Sequence, residues 1–189
     1  NRGARSTTGG WLWFVNPDVV VPPGAAGKLL DVLRSHPAHA AVSPILCAVD
    51  GAAQPYSYGD EPTPTYLARR ALSRTFGHQL LDWGGGPTRD VDWVSGACLL
   101  ARREAFDDVG GFDEGFFMYF EDVDWCRRCR QAGWRVGFAT SAMVLHQSVA
   151  RYRDEPRRRY YRSSLRLYYA KHYGRCAAAV VSAMQLFSR

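Results

Sequence analysis

The chain has 189 residues, of which 47% are hydrophobic and 22% charged, and this balance excludes an intrinsically disordered chain and indicates one globular domain with a core. Its net charge of +6 is local: residues 1–150 carry 14 basic and 16 acidic side chains, whereas residues 151–175 carry nine basic and two acidic ones. This distribution argues against a nucleic-acid-binding body and favours a basic segment that meets phosphate, an anionic membrane surface or an acidic neighbour.

The cysteines indicate a reducing compartment. They number five, an odd count, and no secretory signal is visible, so we expect reduced thiols and a cytoplasmic location. Cys126 and Cys129 form a Cys-x-x-Cys pair on a predicted helix, with no second pair to complete a zinc site. Two packed thiols are the favoured interpretation, and a metal site is the minor alternative.

The first predicted element is a strand. Residues 11–21 form an apolar run, interrupted by Asn16-Pro17-Asp18, that is typical of a buried strand in the middle of a sheet. Leucine spacing predicts a helix over 26–35, and another apolar run predicts a strand over 40–49, so this order indicates a βαβ unit with parallel pairing. A central strand so close to residue 1 has no upstream neighbour. We therefore expect the fold to start before residue 1 and its exposed strand to limit solubility.

The remaining predicted elements follow in chain order. They are a long connection over 50–90 with one helix near 65–76, a strand over 91–101, a short helix over 103–109, a helix over 120–132 closed by Gly133, a strand over 135–145, and two helices after Pro156, the second over 176–187. Long connections of this kind are often functional.

A cluster of carboxylates marks the start of the helix over 120–132. Between residues 113 and 124 there are five acidic side chains and no basic one. In a helix, Asp124 has Arg127 and Arg128 at the i+3 and i+4 positions, whereas Asp122 has no counter-charge nearby. The helix dipole favours ionised Asp122 and the neighbouring acids raise its pKa, so it could act as a base near neutral pH. The alternative is a group of acids that only caps the helix.

Two further positions could bind a cation. Asn16 and Asp18 follow the predicted central strand, at the end of the sheet where open α/β folds bind ligands, and their oxygens suit Mg²⁺ or Mn²⁺. His146 ends an apolar run and would suit Mn²⁺ as a further ligand. The alternatives are an ordinary Asn-Pro-Asp turn and a structural histidine.

A long segment from Asp92 to Val136, DWVSGACLLARREAFDDVGGFDEGFFMYFEDVDWCRRCRQAGWRV, closely resembles the inverting glycosyltransferases of family 2, in their rhamnosyltransferase-like and galactofuranosyltransferase-like branch. Residues 1–3 resemble the segment before that family's metal motif, and residues 159–173 resemble its C-terminal helix. The resemblance implies an α/β, Rossmann-like GT-A fold, with a mixed, mainly parallel sheet flanked by helices. It implies a catalytic part over 1–150 that lacks its N-terminal nucleotide-binding segment, followed by C-terminal helices over 151–189.

The resemblance also implies catalytic and metal-binding roles. Asp18 matches the metal-contacting acid of an Asp-x-Asp-like motif, in which Asn16 replaces the first acid on the cofactor-binding side. Asp122 matches the general base and Glu121 its companion, and His146 matches a metal ligand. The implied cofactor is Mn²⁺ or Mg²⁺.

Substrate-binding positions follow from the same resemblance. They are Trp93, Ser95, Gly96, Asp113 and Phe117, the first three in the segment that lines the sugar site and the last two in the acidic and aromatic stretch beside the acceptor.

The basic C-terminal segment has two interpretations. Its arginines share one side of a predicted helix and its tyrosines the other. Such a helix could lie on the inner face of the plasma membrane, or it could present a solvated charged face over a tyrosine-packed core. Arg162 could alternatively reach the diphosphate of the donor.

The implied function is transfer of a sugar, with inversion, from a nucleotide-diphosphate sugar to a saccharide or lipid-linked saccharide in cell-wall, polysaccharide or O-antigen biosynthesis. Two other classes remain: a metal-dependent phosphohydrolase that uses the same acids, and a saccharide- or partner-binding fragment without turnover. Because the nucleotide-binding segment is missing, we expect the chain alone to be inactive. We expect no nucleic-acid partner.

Overall fold

A six-stranded sheet forms the centre of the computed structural model, which describes residues 1–67, 69, 86–147 and 155–187. The strands are β1 (Trp11–Val15), β2 (Val19–Val20), β3 (His39–Cys47), β4 (Tyr58–Gly59), β5 (Arg89–Asp90), β6 (Trp93–Val94), β7 (Cys98–Arg102) and β8 (Arg135–His146). The main sheet has the order β1-β7-β3-β8-β2, and β5 also pairs with β8. Strands β4 and β6 form a separate two-stranded sheet.

The expected mixed α/β sheet is confirmed, but its parallel pairing is confined to one pair among the strands that the structure describes. Strands β3 and β8 run parallel over most of their length, and the other neighbouring strands are antiparallel. The parallel pairing predicted between the first two long strands is wrong, because β7 lies between β1 and β3 and pairs antiparallel with both. Strand β1 therefore lies at the end of the described sheet, where Trp13 and Val15 are 37% and 39% exposed.

Helices cover both faces of the sheet. They are α1 (Arg2–Arg5), α2 (Ala25–Ser35), α3 (Arg103–Asp108), α4 (Glu121–Gln131) and α5 (Glu155–Phe187). The bounds of α2, α3 and α4 are close to those predicted, whereas α1 was not predicted. Successive residues of a strand point to opposite faces. Accordingly, Val42 and Leu100 pack in one cluster with Leu29 of α2, while Ala41 packs on the other side with Trp125 of α4. The helix predicted near residues 65–76 lies for most of its length outside the described residues.

The two cysteines of the Cys-x-x-Cys pair belong to this core. Cys126 and Cys129 of α4 are both fully buried, and burial raises the pKa of Cys129 to about 12. This environment supports packed thiols rather than a metal site.

The strand predicted over 91–101 is divided into two short strands. Strand β6 pairs with β4, whereas β7 joins the main sheet, and residues 95–97 between them belong to neither ladder. There the backbone N–H of Gly96 donates to Oδ2 of Asp122 at 2.8 Å. Apolar composition could not signal this break, because the acceptor comes from a distant helix.

Helix α5 consists of two arms, residues 155–173 and 175–187, separated by the non-helical Gly174 (φ 85°, ψ 170°). The two predicted C-terminal helices are thus confirmed. Leu165, Tyr168 and Tyr169 of the first arm are buried in one cluster with Val181 of the second, which supports the tyrosine-packed core of the two interpretations. Among the described helices, none has both the length and the apolar character needed to cross a membrane.

Candidate active site

A cavity of about 1040 Å³ opens between the strand ends and helices α4 and α5. The structure brings all the predicted site residues except Asp113 to its lining: Asn16, Asp18, Trp93, Ser95, Gly96, Phe117, Glu121, Asp122, His146 and Arg162. These residues come from five separate parts of the sequence, and the fold brings them together.

Asp113 lies outside this cavity. Its Oδ2 is 2.6 Å from Nζ of Lys171, and its Oδ1 accepts the N–H of Gly115 at 2.9 Å. The hydrogen bond from Lys171, followed by that from Gly115, lowers the pKa of Asp113. The side chain links the loop before α4 to α5, so its contacts are those of a structural residue.

Asp18 and His146 meet where β2 pairs with the end of β8. The antiparallel register places Val19 opposite His146, and the backbone N–H of Gln147 donates to the carbonyl of Asp18 at 2.9 Å. As a result, Asp18 Oδ1 lies 3.4 Å from His146 Nε2. A carboxylate and an imidazole at this separation can share one divalent cation, since ligands about 2.1 Å from a metal lie roughly 3 Å apart in an octahedral site.

Gln54 orients His146. Its Nε2 donates to the backbone carbonyl of His146 at 2.7 Å, which fixes the amide, and its Oε1 lies 2.8 Å from His146 Nδ1. Because an amide oxygen only accepts, Nδ1 carries a proton, and Nε2 is the nitrogen that faces Asp18. Histidine ligands of metals are commonly held in this way. Sequence reasoning missed Gln54, because it stands in the long connection over 50–90 with no spacing that marks it.

Asp122 lies in the first turn of α4, against the turn between β6 and β7. Its Oδ2 accepts the N–H of Gly96 and its Oδ1 that of Val123, both at 2.8 Å. The carboxyl stays open to the cavity although protein surrounds it, and this burial raises its pKa, while the two amides limit the rise. Within the described ranges no ion pair includes Asp122. A carboxyl with a raised pKa that faces a cavity is a candidate general base.

Glu121 extends the acidic wall of the cavity. Burial, reinforced by the charge of Asp122, raises the pKa of Glu121 to about 7. Its Oε2 is shielded from solvent and has no hydrogen-bond partner among the described residues. An unpaired buried oxygen is costly, so this side chain is suited either to hold a proton or to accept a hydrogen bond from a ligand.

Asp124 points to the opposite side of α4 and is fully buried. It contacts Arg128 at 2.8 Å, His172 at 2.7 Å and Lys171 at 2.8 Å. Burial acts to raise the pKa of Asp124, but the hydrogen bonds from His172, Lys171 and Arg128 outweigh it and hold the pKa at about 2. Its role is to attach α5 to α4. The sequence indicated Arg127 and Arg128 as its partners. Arg128 is confirmed, but Arg127 pairs with Glu61 instead, and the two residues from α5 were not predicted.

Strained backbone positions the two acids. Tyr119 and Phe120, directly before Glu121, both have φ of 68°, a left-handed conformation that side chains other than glycine rarely adopt. Phe120 is buried in the cluster that includes Tyr168, and this packing holds the strained turn in place. Strain of this kind is characteristic of functional sites.

The aromatic stretch before α4, residues 116–120, divides into two parts. Phe116 and Phe120 are buried against α5, whereas Phe117 is 75% exposed and lines the cavity. Its ring packs at a tilt of 44° on that of Tyr160, with centroids 4.8 Å apart. Trp93 lines the cavity as well, and its Nε1 donates to the carbonyl of Asp60 at 2.9 Å. Exposed rings at a cavity can pack on the apolar faces of sugars.

Sequence comparison finds sugar transferases. A Mycobacterium tuberculosis N-acetylglucosaminyl-diphospho-decaprenol L-rhamnosyltransferase is 38% identical over 152 residues, which cover 74% of this chain and 47% of that protein. Rhamnosyltransferase WbbL of Escherichia coli is 43% identical over 56 residues, covering 30% of this chain and 21% of WbbL. The O-antigen biosynthesis protein RfbC of Myxococcus xanthus is 32% identical over 162 residues, or 82% of this chain and 12% of RfbC. The chain thus spans about half the length, or less, of these relatives.

Structural comparison supports the fold. A crystal structure of GalNAc-T7 with UDP, GalNAc and Mn²⁺ has a TM-score of 0.55 and 16% sequence identity, and covers 88% of this chain and 32% of that one. The likeness shows the GT-A-type fold that the sequence resemblance implied. Residues 1–170 match the family described as "Glycosyltransferase like family 2". The chain therefore belongs to glycosyltransferase family 2.

Proposed function

We propose that the protein transfers a sugar, with inversion, from a nucleotide-diphosphate sugar to a saccharide acceptor in the synthesis of a cell-wall or other surface polysaccharide. The observation that carries the proposal is one cavity with two chemically different walls. Asp18 and His146 stand at the strand ends, and the Glu121–Asp122 pair stands on α4. Family membership favours sugar transfer over phosphate hydrolysis.

Asp18 and His146 are the residues that would hold a divalent cation. Their 3.4 Å separation and the orientation of His146 by Gln54 fit such an ion. When bound, Mn²⁺ or Mg²⁺ would neutralise the negative charge that develops on the leaving diphosphate. The Mn²⁺ in the GalNAc-T7 crystal structure supports a divalent cation here as well.

Asp122 acts as the general base of the transfer. Its two oxygens accept amide N–H groups from Gly96 and Val123, and each keeps a lone pair for the hydroxyl of the acceptor. That hydroxyl gives its proton to Asp122 as its oxygen bonds to the anomeric carbon and the bond to the diphosphate breaks on the opposite side. One displacement inverts the configuration.

The raised pKa values of Asp122 and Glu121 predict that activity rises with pH until the pair loses its last proton.

The acceptor class is suggested by the relatives. The Mycobacterium tuberculosis protein is named for a saccharide joined to a lipid by a diphosphate. We infer that this protein also takes a lipid-linked saccharide, with the sugar beside Asp122 and the exposed ring of Phe117.

The proposal is tested by assaying the full-length protein for sugar transfer. A panel of nucleotide sugars is assayed with Mn²⁺ or Mg²⁺ for the wild type, for Asp122→Asn, and for Asp107→Asn, an exposed acid outside the cavity, as control. We expect Asp122→Asn to lower kcat by about 10²- to 10⁴-fold with donor affinity retained, because it removes the base. Transfer that survives the change would mean that the base lies elsewhere. Donor binding without transfer by the wild type would favour a binding protein.

A further inference from the structure

A second cavity, of about 480 Å³, lies between the two arms of α5. Its lining is Glu155, Arg159, Arg162 and Arg166 from the first arm and Ser182 and Gln185 from the second, and we call it the arginine groove. Arg162 and Gln185 also line the large cavity that contains Asp122, so the two cavities are adjacent.

The groove concentrates positive charge. Arg159, Arg162 and Arg166 are spaced three and four residues apart, which places them on one helix face, where like charges repel one another. In the part of the chain that the structure describes, none of the three forms an ion pair. The acid of the groove, Glu155, is highly exposed and lies 3.5 Å from Arg158 instead. A bound anion would relieve this repulsion.

The groove also offers hydrogen-bond donors without acceptors. Nε2 of Gln185 is shielded from solvent and has no partner among the described residues. An amide NH₂ left unpaired in a buried position is costly unless a ligand accepts from it. The guanidinium groups beside it are donors only, and their planar geometry suits the oxygens of a phosphate group.

We propose that the arginine groove binds the phosphate or diphosphate group of the acceptor while the acceptor sugar enters the large cavity beside Asp122. The proposal rests on the proposed function. The cation-binding candidates Asp18 and His146 lie at the strand ends, whereas the groove lies in α5, so each substrate has an anion-binding region of its own. The prediction from the sequence that Arg162 reaches the donor diphosphate is the alternative, and the donor kinetics described below distinguish the two.

Equilibrium binding of inorganic pyrophosphate tests the groove without turnover. Binding is measured by calorimetry at low salt. EDTA in the buffer removes any cation from Asp18 and His146. The variant Arg159→Gln/Arg166→Gln alters residues that line the groove alone, and Arg34→Gln/Arg175→Gln, outside both cavities, removes the same charge. We expect the wild type and the control to bind one pyrophosphate, and the groove variant to bind about tenfold more weakly for each arginine lost. Absence of wild-type binding, or equal weakening in both variants, would overturn the proposal.

Acceptor kinetics locate the group that the groove holds. The probes are one sugar presented as a short-prenyl diphosphate and the same sugar as a methyl glycoside. We expect the groove variant to raise KM for the diphosphate about 10- to 100-fold and to leave KM for the methyl glycoside and the donor unchanged. A raised KM for the donor would assign the groove to the donor and overturn the proposal.

Vesicle binding separates the acceptor from the membrane as a source of phosphate. Cosedimentation with phosphatidylglycerol and phosphatidylcholine vesicles is measured for the same three proteins. Loss of anionic-vesicle binding in the groove variant with unchanged pyrophosphate affinity would show that the groove meets lipid headgroups, against the proposal. If no protein transfers sugar but the pyrophosphate result holds, the groove assignment stands and the proposed function fails.

Discussion

Asp122 and Asp124 are two residues apart on α4, yet they belong to regions with opposite electrostatics. On the cavity side, Asp122 and Glu121 lack counter-charges among the described residues, and their pKa values are raised. On the α5 side, Asp124 forms ion pairs with Arg128 and Lys171 and a hydrogen bond with His172, and its pKa is about 2. Burial acts in the same direction on both sides. The comparison shows that the partners supplied by neighbouring elements decide whether a buried acid holds two helices together or remains available to a substrate.

Replacing Asp124 should have the largest effect on stability. We expect Asp124→Asn to lower the free energy of unfolding by about 3–5 kcal/mol, because it removes the buried charge that pairs with Arg128 and Lys171. Asp122→Asn is the matched control and should change it by no more than about 1 kcal/mol, since no ion pair is broken. Urea unfolding near neutral pH measures both. Equal losses would show that the two sides of α4 do not differ as described.

Low pH should abolish the contribution of Asp124 to the free energy of unfolding. Its folded-state pKa of about 2 lies below the ordinary value of 3.8, so its contribution is present above the ordinary value and is lost as the pH falls toward 2. The difference in unfolding free energy between wild type and Asp124→Asn should therefore shrink over this range. A difference that stays constant down to the lowest pH would contradict the assignment.

Glu121→Gln tests the cavity side of α4. Its effect on the free energy of unfolding should depend on pH in the opposite direction to that of Asp124→Asn. Because the pKa of Glu121 is raised from 4.5 to about 7, the folded state binds the proton more tightly than the unfolded state. Its stabilising contribution is present below the ordinary pKa and is lost as the pH rises through 7. At about pH 8 the variant should exceed the wild type by up to roughly 3 kcal/mol, and at about pH 4 the gap should close. Thermal unfolding at both pH values checks this, and a gap that does not depend on pH would contradict it.

Gln54→Ala should have the smallest effect. It removes the acceptor that fixes His146, and outer-shell changes of this kind weaken metal affinity by about 10- to 100-fold. Mn²⁺ binding by calorimetry measures the change, and Gln131→Ala, at the end of α4 and away from the cavity, is the control. Affinity equal to that of the wild type would remove Gln54 from the cation site.

Local features were predictable. Leucine spacing over α2, the Gly133 end of α4 and the break in the C-terminal helices all depend on residues within a few positions of one another, and all are confirmed. The strand assignments failed where they required a choice of partner. Strand β1 is apolar enough for the centre of a sheet and was predicted to pair with β3. Strand β7 lies between them instead, because strand pairing depends on which distant segments compete for the same edge.

The sequence by itself determined the family, through the long segment from Asp92 to Val136, and the position of the acids at the start of α4, since both are encoded by contiguous residues. Only the tertiary structure decided that Gln54 orients His146, and that Asp124 has partners on α5 while Asp122 does not. The physical reason is distance along the chain. A contact between residues far apart in sequence has no local spacing to reveal it, and it exists only after the sheet order and the helix packing have formed.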